Sequence, residues 1–528
     1  MCGFVFSSNT SLENKIFSDN FEKLTHRGPD DAKLFTTEAA LWGFHRLAIM
    51  DLSKAGNQPF IYKNKELMCN GEIYNCNEIR KFLTPHYSFH STSDCEVLLP
   101  LFEKMGIESM VRMLDAEFAF VIADNQTKKV WAARDPFGIR PLFYGYDKKE
   151  KRIAFASEAK GLINWCEKIK PFPPGHYYAN EKFQLFNDVG DSKLMIEQSL
   201  DTLCEGIRWR LKQAVVKRLH SDAAMGFLLS GGLDSSLVCA IAQKHLDKPI
   251  ETFAIGMEDD PIDLKYAKEV ANFLGTHHHE ITMSKKDVLK AVEIVIYHLE
   301  TWDITTIRAS IGMYLIAKYI HEKTDIKTLL SGEVSDEMFG YKYTDFAPSA
   351  SAFQKEAQKR VRELYMYDVL RADRTLAANS LEARVPFADL DFASYVMSIN
   401  PARKMNVYGK GKYLLRHAFD TGDYLPHEIL FREKAAFSDA VGHSMVDYLK
   451  EHVKKLYSEF DLSQAKKKYP THTPFTKESL WYRDIFEKFY AGHDSWIIDF
   501  WMPKKQWVGE DINDPSARML KNYGNSGK

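Results

Sequence analysis

This 528-residue sequence lacks long apolar segments, an excess of charge of either sign, and an even, regularly spaced set of cysteines. No apolar run approaches the roughly 18 residues of a membrane-spanning helix, and no basic stretch followed by an apolar one marks a secretory signal. The formal net charge is −2, so the overall balance favours neither nucleic acid nor an anionic membrane. The seven cysteines are odd in number and unevenly spaced, which argues against a disulfide framework. We therefore expect a cytoplasmic protein in a reducing compartment.

The composition is that of an ordinary globular protein, with 45% hydrophobic and 27% charged residues and length enough for two or three domains. Up to about residue 190, short strand-like runs such as 41–44, 118–123 and 129–133 are separated by glycine, asparagine and aspartate. This pattern predicts an α+β domain with antiparallel sheets over residues 1–190. A polar stretch at about 185–199 is interpreted as a linker.

Residues 200–528 are predicted to form a second domain of a different kind. Strand-like runs at 225–229, 251–255, 280–282 and 327–330 alternate with helical sequence, which predicts an α/β domain with a parallel sheet. From about residue 350 onward the pattern is mostly helical, so the C-terminal part of this domain is expected to be largely α-helix.

A glycine- and serine-rich segment, LSGGLDSS at residues 229–236, lies between an apolar strand-like run and an apolar helical one. The glycines let backbone N–H groups approach an anion, the serine hydroxyls add donors, and the helix N-terminus adds a positive dipole end. The segment is therefore interpreted as a phosphate-binding loop, which we call the SGGLDSS loop. It is not the loop of P-loop NTPases, because no lysine follows. It resembles the SGGxDS loop of ATP pyrophosphatases, which split ATP into AMP and pyrophosphate.

Other motifs follow neighbouring strands of the predicted parallel sheet. Gly256 follows one strand, and Ser331-Gly332-Glu333 follows another. Ligands of open parallel sheets bind beyond the carboxyl ends of the strands. We therefore predict that these motifs and the SGGLDSS loop meet at one edge of the sheet.

The N-terminus provides a second candidate site, since the chain begins Met1-Cys2-Gly3. Cytosolic processing normally removes a methionine before a small residue, which would leave Cys2 with a thiol and a free α-amine. Their reference pKa values are about 8.5 and about 7.7, so the amine can act as base for the thiol near neutral pH. A cysteine at this position is weak evidence alone, and the motifs downstream strengthen it.

Further motifs occur in a fixed order along the chain. They are Arg27-Gly28-Pro29-Asp30, HRLAIM at 45–50, NGEIYN at 70–75, SDCE at 93–96, ARDPFGIRPL at 133–142, FASE at 155–158, FPPGHY at 172–177, GTHHHE at 275–280, TTIRAS at 305–310, SGEVSDE at 331–337, LEARVPF at 381–387 and REKAAFSD at 432–439. With the SGGLDSS loop they closely resemble the glutamine-hydrolysing asparagine synthetase family over nearly the whole chain. The resemblance implies a class II glutamine amidotransferase domain, an N-terminal-nucleophile (Ntn) type sandwich of antiparallel sheets between helices, followed by an ATP-pyrophosphatase-type synthetase domain.

At the first site the resemblance implies that the Cys2 Sγ attacks the side-chain amide of glutamine and releases ammonia. The Asn70 side chain and the Gly71 N–H would stabilise the oxyanion, and a side chain at position 71 would crowd the substrate. Arg46 suits the α-carboxylate of glutamine, because its planar guanidinium binds carboxylates bidentately. The rest of the glutamine pocket would be formed by Leu47, Ala48, Ile49, Met50, Glu72 and Asp94, with Asp94 at the α-ammonium.

At the second site the resemblance implies ATP as substrate and Mg²⁺ as cofactor. Asp234 and Asp336 would hold the metal through carboxylate oxygens. Aspartate would attack the α-phosphorus to give β-aspartyl-AMP and pyrophosphate, with position and charge neutralisation supplying most of the catalysis. Lys434 and Arg308 would be the cations at the phosphates, and Glu333 would take a proton from incoming ammonia. The other ATP-binding residues would be Leu229, Ser230, Gly231, Gly232, Ser235, Ile255, Ser331 and Gly332, with backbone groups of Leu229 and Ile255 reading the adenine edge.

The sequence departs from the family at a few positions. Valine stands at position 334 where glycine is usual, Gly340-Tyr341 replaces a glycine pair before the tyrosine, and Ala388 replaces leucine. A β-branched residue disfavours positive φ. If the family's loop needs positive φ at position 334, this loop is expected to be shaped differently.

Three other functions are compatible with parts of this pattern. The first keeps the architecture but amidates another carboxylic acid. The second is ring closure of the β-lactam synthetase kind, against which Cys2 and the intact glutamine pocket argue. The third is a glutamine or nucleotide sensor without turnover, which loss of Cys2 or Asp234 would have favoured.

The partners expected are small molecules, namely glutamine, aspartate and ATP, with no nucleic acid and no membrane, and a homodimer is left open. Ammonia made at one site must reach the other unprotonated, so we expect a dry passage between the domains. The run His277-His278-His279 suggests zinc, but neighbouring residues of a strand point to opposite faces, so we expect no metal there.

Overall fold

The computed structural model describes residues 1–192, 195–259, 261–433, 443–509 and 513–522. Within these ranges the first domain contains strands β1 (Gly3–Ser7), β2 (Asp31–Thr36), β3 (Leu41–Arg46), β4 (Phe60–Tyr62), β5 (Lys65–Ile73), β6 (Ala116–Asp124), β7 (Val130–Arg134), β8 (Phe143–Asp147), β9 (Ile153–Ala156), β10 (Cys166–Pro171), β11 (His176–Ala179) and β12 (Lys182–Leu185). The strands of the second domain are β13 (Met225–Leu228), β14 (Glu251–Met257), β15 (His277–Met283), β16 (Thr328–Leu330) and β17 (Glu382–Arg384).

The first domain is a sandwich of two antiparallel sheets, with strand orders β10-β8-β9-β1-β3-β2 and β12-β11-β7-β6-β5-β4. Apolar side chains such as Phe4 and Trp42 from one sheet and Met68 and Val121 from the other form a common core between them. Helix α1 (Asn14–Phe21) packs on the outside of the first sheet, and α2 (Cys76–Leu83) and α3 (Leu98–Met113) pack on the second. The predicted α+β sandwich is confirmed.

The second domain is built on one parallel sheet with strand order β15-β14-β13-β16-β17. Successive residues of β14 belong to different hydrophobic cores, Phe253 and Ile255 to one and Ala254 to the other, so the sheet is covered on both faces. The helices are α4 (Leu200–Lys217), α5 (Leu233–His245), α6 (Ile262–Leu274), α7 (Lys285–Leu299), α8 (Ile304–Lys323), α9 (Ser335–Phe339), α10 (Ala350–Glu363), α11 (Asp368–Ala377), α12 (Leu390–Ser398), α13 (Pro401–Lys404), α14 (Tyr413–Phe419), α15 (His427–Leu430), and then His443–Leu456, Glu459–Ser463, Ala465–Lys468, Lys477–Tyr490 and Lys505–Val508.

Four of the five parallel strands lie where the sequence predicts them. The strand predicted at 280–282 is longer and begins at His277, so the three histidines lie in β15. His277 and His279 both contact the Glu251 carboxylate, at 3.0 and 2.6 Å, whereas His278 contacts Thr252. β17 was not predicted, because three residues with two charges carry no strand pattern.

Buried ion pairs join the two domains. Arg27 of the first domain contacts Glu158 at 2.7 Å and Asp373 of α11 at 2.8 Å, and Arg374 contacts both Glu158 and Glu300 at 3.0 Å. All of these side chains are almost fully buried. Removing one member of such a cluster leaves an uncompensated buried charge, so the pairs hold the domains in a defined orientation. No helix in the described ranges has the length and apolar character needed to cross a membrane.

Candidate active sites

Cys2 immediately precedes β1, at the end of the first sheet where β3 leads into the 47–50 loop. Its Sγ accepts a hydrogen bond from the Leu47 N–H at 3.4 Å, and its carbonyl accepts one from Arg27 Nε at 2.8 Å. Burial raises the pKa of the Cys2 thiol to about 11, so the thiol is protonated at neutral pH. Burial also lowers the pKa of the Met1 amine to about 5.

Asn70 and Gly71 lie in β5, in the sheet that packs against β1. Both polar atoms of the Asn70 side chain are buried and have no hydrogen-bond partner among the described residues. Since buried amides are normally bonded, this side chain is suited to a ligand. At Gly71 a Cβ would lie 2.6 Å from the Glu117 carbonyl oxygen. The neighbouring strand therefore requires glycine at position 71. The reason expected from the sequence was different, namely that a side chain there would crowd the substrate.

Arg46 ends β3 and is almost fully buried. Its guanidinium donates to the Ser53 carbonyl at 2.8 Å and to the Asp51 carbonyl, which fixes it against the loop that follows. Gly56 approaches so closely that a Cβ would lie 2.4 Å from Arg46 Nη2. The loop's Leu47, Ala48 and Ile49 are buried, and Met50 is half-buried.

Glu72 and Asp94 are buried carboxylates of the same pocket. The Asp94 carboxylate accepts a hydrogen bond from the Ile73 N–H at 2.7 Å, and burial raises the pKa of both groups. Arg384, in β17 of the second domain, lies 2.9 Å from Glu72. The carbonyl of Arg384 accepts a hydrogen bond from the Ser331 N–H at 3.1 Å. One residue of the second domain therefore contacts both predicted sites.

The second site is a cavity of about 220 Å³ beyond the carboxyl ends of the parallel strands. It is lined by the SGGLDSS loop and by Ser331-Gly332-Glu333, which were predicted to meet at this edge, whereas Gly256 is not among its lining residues and its neighbour Ile255 is. Of the predicted residues the cavity is lined by Leu229, Ser230, Gly232, Asp234, Ser235, Ile255, Arg308, Ser331, Gly332, Glu333 and Asp336.

The SGGLDSS loop connects β13 to α5 and is tightly packed. Gly231 has φ = 70°, and a Cβ there would lie 2.5 Å from the Ala267 backbone nitrogen. A Cβ at Gly332 would lie 2.6 Å from the Ser235 nitrogen, so the loops after β13 and β16 touch. The Ser331 hydroxyl is buried without a partner among the described residues, as suits a group that binds a ligand.

The side of β14 towards β13 becomes free near the cavity. β13 pairs with β14 only as far as Leu228 and Phe253, whereas β14 continues to Met257. The backbone of Ile255 on this side has no neighbouring strand, which fits the predicted contact with an adenine edge. The Leu229 N–H is already bonded to the Phe253 carbonyl at 2.9 Å, so only the Leu229 carbonyl can contribute. That limits the prediction for Leu229 to one backbone group.

Lys412 connects the two predicted metal ligands. Its ammonium lies 2.8 Å from Asp234 Oδ2 and 2.5 Å from Asp336 Oδ1, and it also donates to the Ser335 hydroxyl at 3.0 Å. Two carboxylates that converge on one cation form an oxygen donor set of the kind that Mg²⁺ prefers. The residues therefore fit a Mg²⁺ ion.

Glu333 lies on the wall of the same cavity, where its carboxylate pairs with Arg371 of α11. Arg371 also contacts Asp368 at 2.7 Å. Glu337 is half-buried beside Asp368 and Asp336, and its desolvation together with these carboxylates raises its pKa well above the usual range. Glu337 is thus the carboxyl group of this wall that favours the neutral form.

The predicted phosphate cations have different surroundings. Arg308 lines the cavity, but its guanidinium pairs with Glu478 at 2.6 Å and Asp514 at 2.9 Å, so its charge is already balanced. Arg432 donates to the Gly231 carbonyl at 3.2 Å and stacks on Tyr266, which places a cation on the SGGLDSS loop itself. Lys434 lies outside the described residues.

Val334 has φ = 81°, in the left-handed region, and is almost fully buried. The valine at this position therefore does not prevent positive φ, although β-branched residues disfavour it. Such a conformation costs about 1–3 kcal/mol and persists where the surroundings impose it. Here the side chain packs in the same core as Met338 and Phe339, which offsets part of that cost.

Four functional candidates were missed by the sequence reasoning: Lys412, Arg371, Arg384 and, as a cation of the loop, Arg432. The Gly409-Lys410-Gly411-Lys412 run was a possible signal for the first, since glycine and lysine together suit an anion site. The remaining three are single arginines in a helix, a strand and a loop. Arg384 and Arg432 lie within the motifs at 381–387 and 432–439, but their roles depend on neighbours from distant parts of the chain, as does the role of Arg371.

The fold defines a class of protein: an Ntn-type glutamine amidotransferase sandwich joined to an α/β synthetase domain with an SGGxDS loop. Residues 1–185 match the glutamine amidotransferase domain family, and residues 206–351 and 345–510 match the asparagine synthase family. Glutamine-hydrolysing asparagine synthetases of Cricetulus griseus and Homo sapiens are each 40% identical to the chain, over 571 and 566 residues of alignment, and that of Gallus gallus is 41% identical over 568. Each comparison covers 99–100% of both proteins. The chain belongs to the glutamine-hydrolysing asparagine synthetase family.

Proposed function

We propose that this chain converts aspartate, glutamine, ATP and water into asparagine, glutamate, AMP and pyrophosphate. In this proposal residues 1–190 hydrolyse glutamine and residues 200–528 activate and amidate aspartate. The proposal is carried by the presence of two sites in one chain. The antiparallel sandwich holds Cys2 and an Asn70 amide without a partner among the described residues, and the second domain holds a cavity formed by the SGGLDSS loop, Asp234 and Asp336. We also propose a cytoplasmic location and leave a homodimer as an open proposal.

In the first half-reaction the thiol of Cys2 transfers its proton to the α-amine, Sγ attacks the glutamine amide carbon, and the resulting α-ammonium gives the proton to the leaving amide nitrogen. The oxyanion forms in reach of the Asn70 amide and the Gly71 N–H, and ammonia leaves as the thioester forms. Water then releases glutamate. Arg46 and Asp94 hold the two charged α-groups of glutamine, and Glu72 supports Asp94.

In the second half-reaction the aspartate β-carboxylate attacks the α-phosphorus of ATP in line with the leaving pyrophosphate. Asp234 and Asp336 would hold Mg²⁺, which neutralises charge on the phosphates when it is bound. Lys412 leaves its position between these carboxylates and, with Arg432, faces the phosphate oxygens; Lys434 and Arg308 are retained as predicted cations. Glu333 accepts a proton as ammonia attacks the acyl carbon and AMP departs.

Removal of Met1 would also open the start of the ammonia route. The Met1 amine lies 3.3 Å from the Leu381 carbonyl, and Arg140 donates to the Ala383 carbonyl at 3.0 Å. β17 begins at Glu382, between Leu381 and Ala383, and pairs with β16. Ser331 directly follows β16. Met1 therefore contacts the segment that leads into β17, whose partner strand β16 precedes Ser331 of the synthetase cavity.

The first test is the product set of the purified protein. With glutamine, aspartate and Mg-ATP we expect asparagine, AMP and pyrophosphate in equal amounts, measured by chromatography and a pyrophosphate assay. ADP with inorganic phosphate as the stoichiometric products would overturn the assignment of the second domain. A panel of other carboxylic acids, assayed for pyrophosphate release, addresses the alternative acceptor, and aspartate should give the highest kcat/KM.

We expect Arg384, a residue of the second domain, to strengthen glutamine binding at the first site. Replacing Arg384 with methionine removes the cation next to Glu72, and we expect KM for glutamine to rise about tenfold, since hydrogen bonds to charged groups contribute about 1.5–3 kcal/mol. Arg218→Met is the matched control, because Arg218 is equally buried at the domain interface but pairs with Glu117 and Asp389. Steady-state glutaminase assays measure both. Equal increases in the two variants would mean a general loosening of the interface.

A further inference from the structure

A second cavity of about 200 Å³ lies beside the ATP cavity and has no role in the mechanism above. It is enclosed by the end of α9, the segment 341–345, α10 and the loop from Lys404 to Lys412. The two cavities share Tyr341, Arg416 and Glu433 as wall residues. Lys412 lines the second cavity while its ammonium contacts Asp234 and Asp336. The second cavity therefore adjoins the phosphate end of the ATP site.

Among the residues that the structure describes, the lining of this cavity is predominantly positive. Its cationic side chains are Lys342, Lys404, Lys410, Lys412 and Arg416, whereas its carboxylates are Asp345 and Glu433. Lys410 pairs with Glu433 at 2.5 Å, and Lys342 lies 4.0 Å from the same carboxylate. The cations therefore exceed the carboxylates that face them.

Lys404 is the least compensated of these cations. Its side chain is only 4% exposed, and its ammonium donates to the Val396 carbonyl at 3.0 Å. No carboxylate in the described part of the chain pairs with it, and burial lowers its pKa to about 7. Because burial disfavours the charged form of Lys404, an anion that binds next to its amine would stabilise the ammonium.

The glycines of the 404–412 loop leave room for such an anion. At Gly409 and Gly411 a Cβ would meet nothing within 4 Å. The backbone of this loop is therefore accessible from open space, and backbone N–H groups in glycine-rich loops commonly contribute to anion sites.

We propose that this second cavity binds inorganic pyrophosphate, the polyanion released by the reaction. This inference rests on the proposed function for the source of the pyrophosphate. Once the α–β bond is broken, pyrophosphate leaves the SGGLDSS loop past Lys412 and binds beside Lys404. Its removal from the ATP cavity prevents its attack on the acyl-adenylate, so the intermediate remains available to ammonia.

The test uses the full-length enzyme and labelled pyrophosphate in equilibrium dialysis, with the ATP cavity filled by α,β-methylene-ATP and Mg²⁺. Wild-type enzyme should bind pyrophosphate stoichiometrically under these conditions. Lys404→Met, which keeps the length of the side chain and removes its charge, should weaken binding about tenfold or more, the scale of a lost charged contact. Lys355→Met is the control, since Lys355 is exposed on α10, the helix that contributes Phe353 to the cavity.

Inhibition provides a second measurement. Added pyrophosphate should inhibit ammonia-dependent asparagine synthesis by the wild-type enzyme even at saturating ATP. Lys404→Met should lose this inhibition, while its KM for ATP stays unchanged. Each of three results would overturn the proposal: the wild-type enzyme does not bind pyrophosphate in dialysis, Lys404→Met binds it as tightly as the wild type, or the wild type binds inorganic phosphate with the same affinity. If the enzyme binds pyrophosphate in dialysis but forms no AMP, the pyrophosphate site is supported and the proposed function is refuted. Failure of the site and failure of the proposed function are therefore distinguishable.

Discussion

Replacing Cys2 with alanine should abolish glutamine-dependent asparagine synthesis and leave ammonia-dependent synthesis intact. We expect a loss of about 10⁴-fold or more with glutamine, the scale found when a covalent nucleophile is removed. The physical reason is that the thiol lies in the antiparallel sandwich, whereas Asp234, Asp336 and Glu333 line a cavity of the other domain. The measurement is asparagine formation with glutamine and, separately, with ammonium chloride.

Two controls make this result specific. The intact mass of the native protein should correspond to a chain that starts at Cys2, because a retained Met1 would block the proposed base. Cys95→Ala is a matched variant, since Cys95 is buried near the same pocket but contacts the Gly71 carbonyl and the Asp94 carboxylate through its thiol. It should keep most of the glutamine-dependent rate. Equal loss of both activities in Cys2→Ala would contradict the two-site interpretation.

The local motifs made much of this architecture predictable. Strand-like runs separated by turn residues indicated the antiparallel sandwich, and alternating strand and helix patterns indicated the parallel sheet. Because the carboxyl ends of parallel strands meet at one edge, the SGGLDSS loop and Ser331-Gly332-Glu333 could be placed together from the chain alone. The structure brings both to one cavity.

What could not be predicted depends on contacts between distant segments. β17 is three residues long and is held by pairing with β16 and by the Arg384 ion pairs, none of which is visible in its own sequence. Lys412 reaches Asp234 across 178 positions of the chain. Sequence patterns report periodicity within an element, so residues that act through tertiary neighbours remain hidden.

Val334 shows the same limit for backbone conformation. Its intrinsic preference disfavours positive φ, yet the residue has φ = 81° within a buried loop. Tertiary packing of the valine side chain against the core of the second domain offsets part of the cost of this conformation. That cost is about 1–3 kcal/mol, and burial of one apolar side chain contributes about 1.5–3 kcal/mol, so the two are of similar size.

Changing Glu333 to glutamine should nearly stop asparagine formation while glutamine hydrolysis survives. A positioned general base contributes about 10²–10⁴-fold in rate, and glutamine keeps the size of the side chain but cannot take a proton. Glu333 pairs with Arg371, whereas Asp234 and Asp336 converge on Lys412 at the position proposed for the metal. The loss should therefore be large without unfolding. Steady-state synthesis with ammonia measures it directly.

A separate assay of the first chemical step distinguishes a base from a carboxylate that only maintains the structure. If Glu333 acts on ammonia, Glu333→Gln should still release pyrophosphate from ATP and aspartate in a single turnover, because acyl-adenylate formation precedes proton transfer. Asp368→Asn is the matched control, since Asp368 also contacts Arg371 and lines the same cavity. It should reduce synthesis less than Glu333→Gln. If Glu333→Gln kept more than about half of the synthetase rate, Glu333 would have no role in proton transfer, because removal of a general base lowers the rate by about 10²–10⁴-fold.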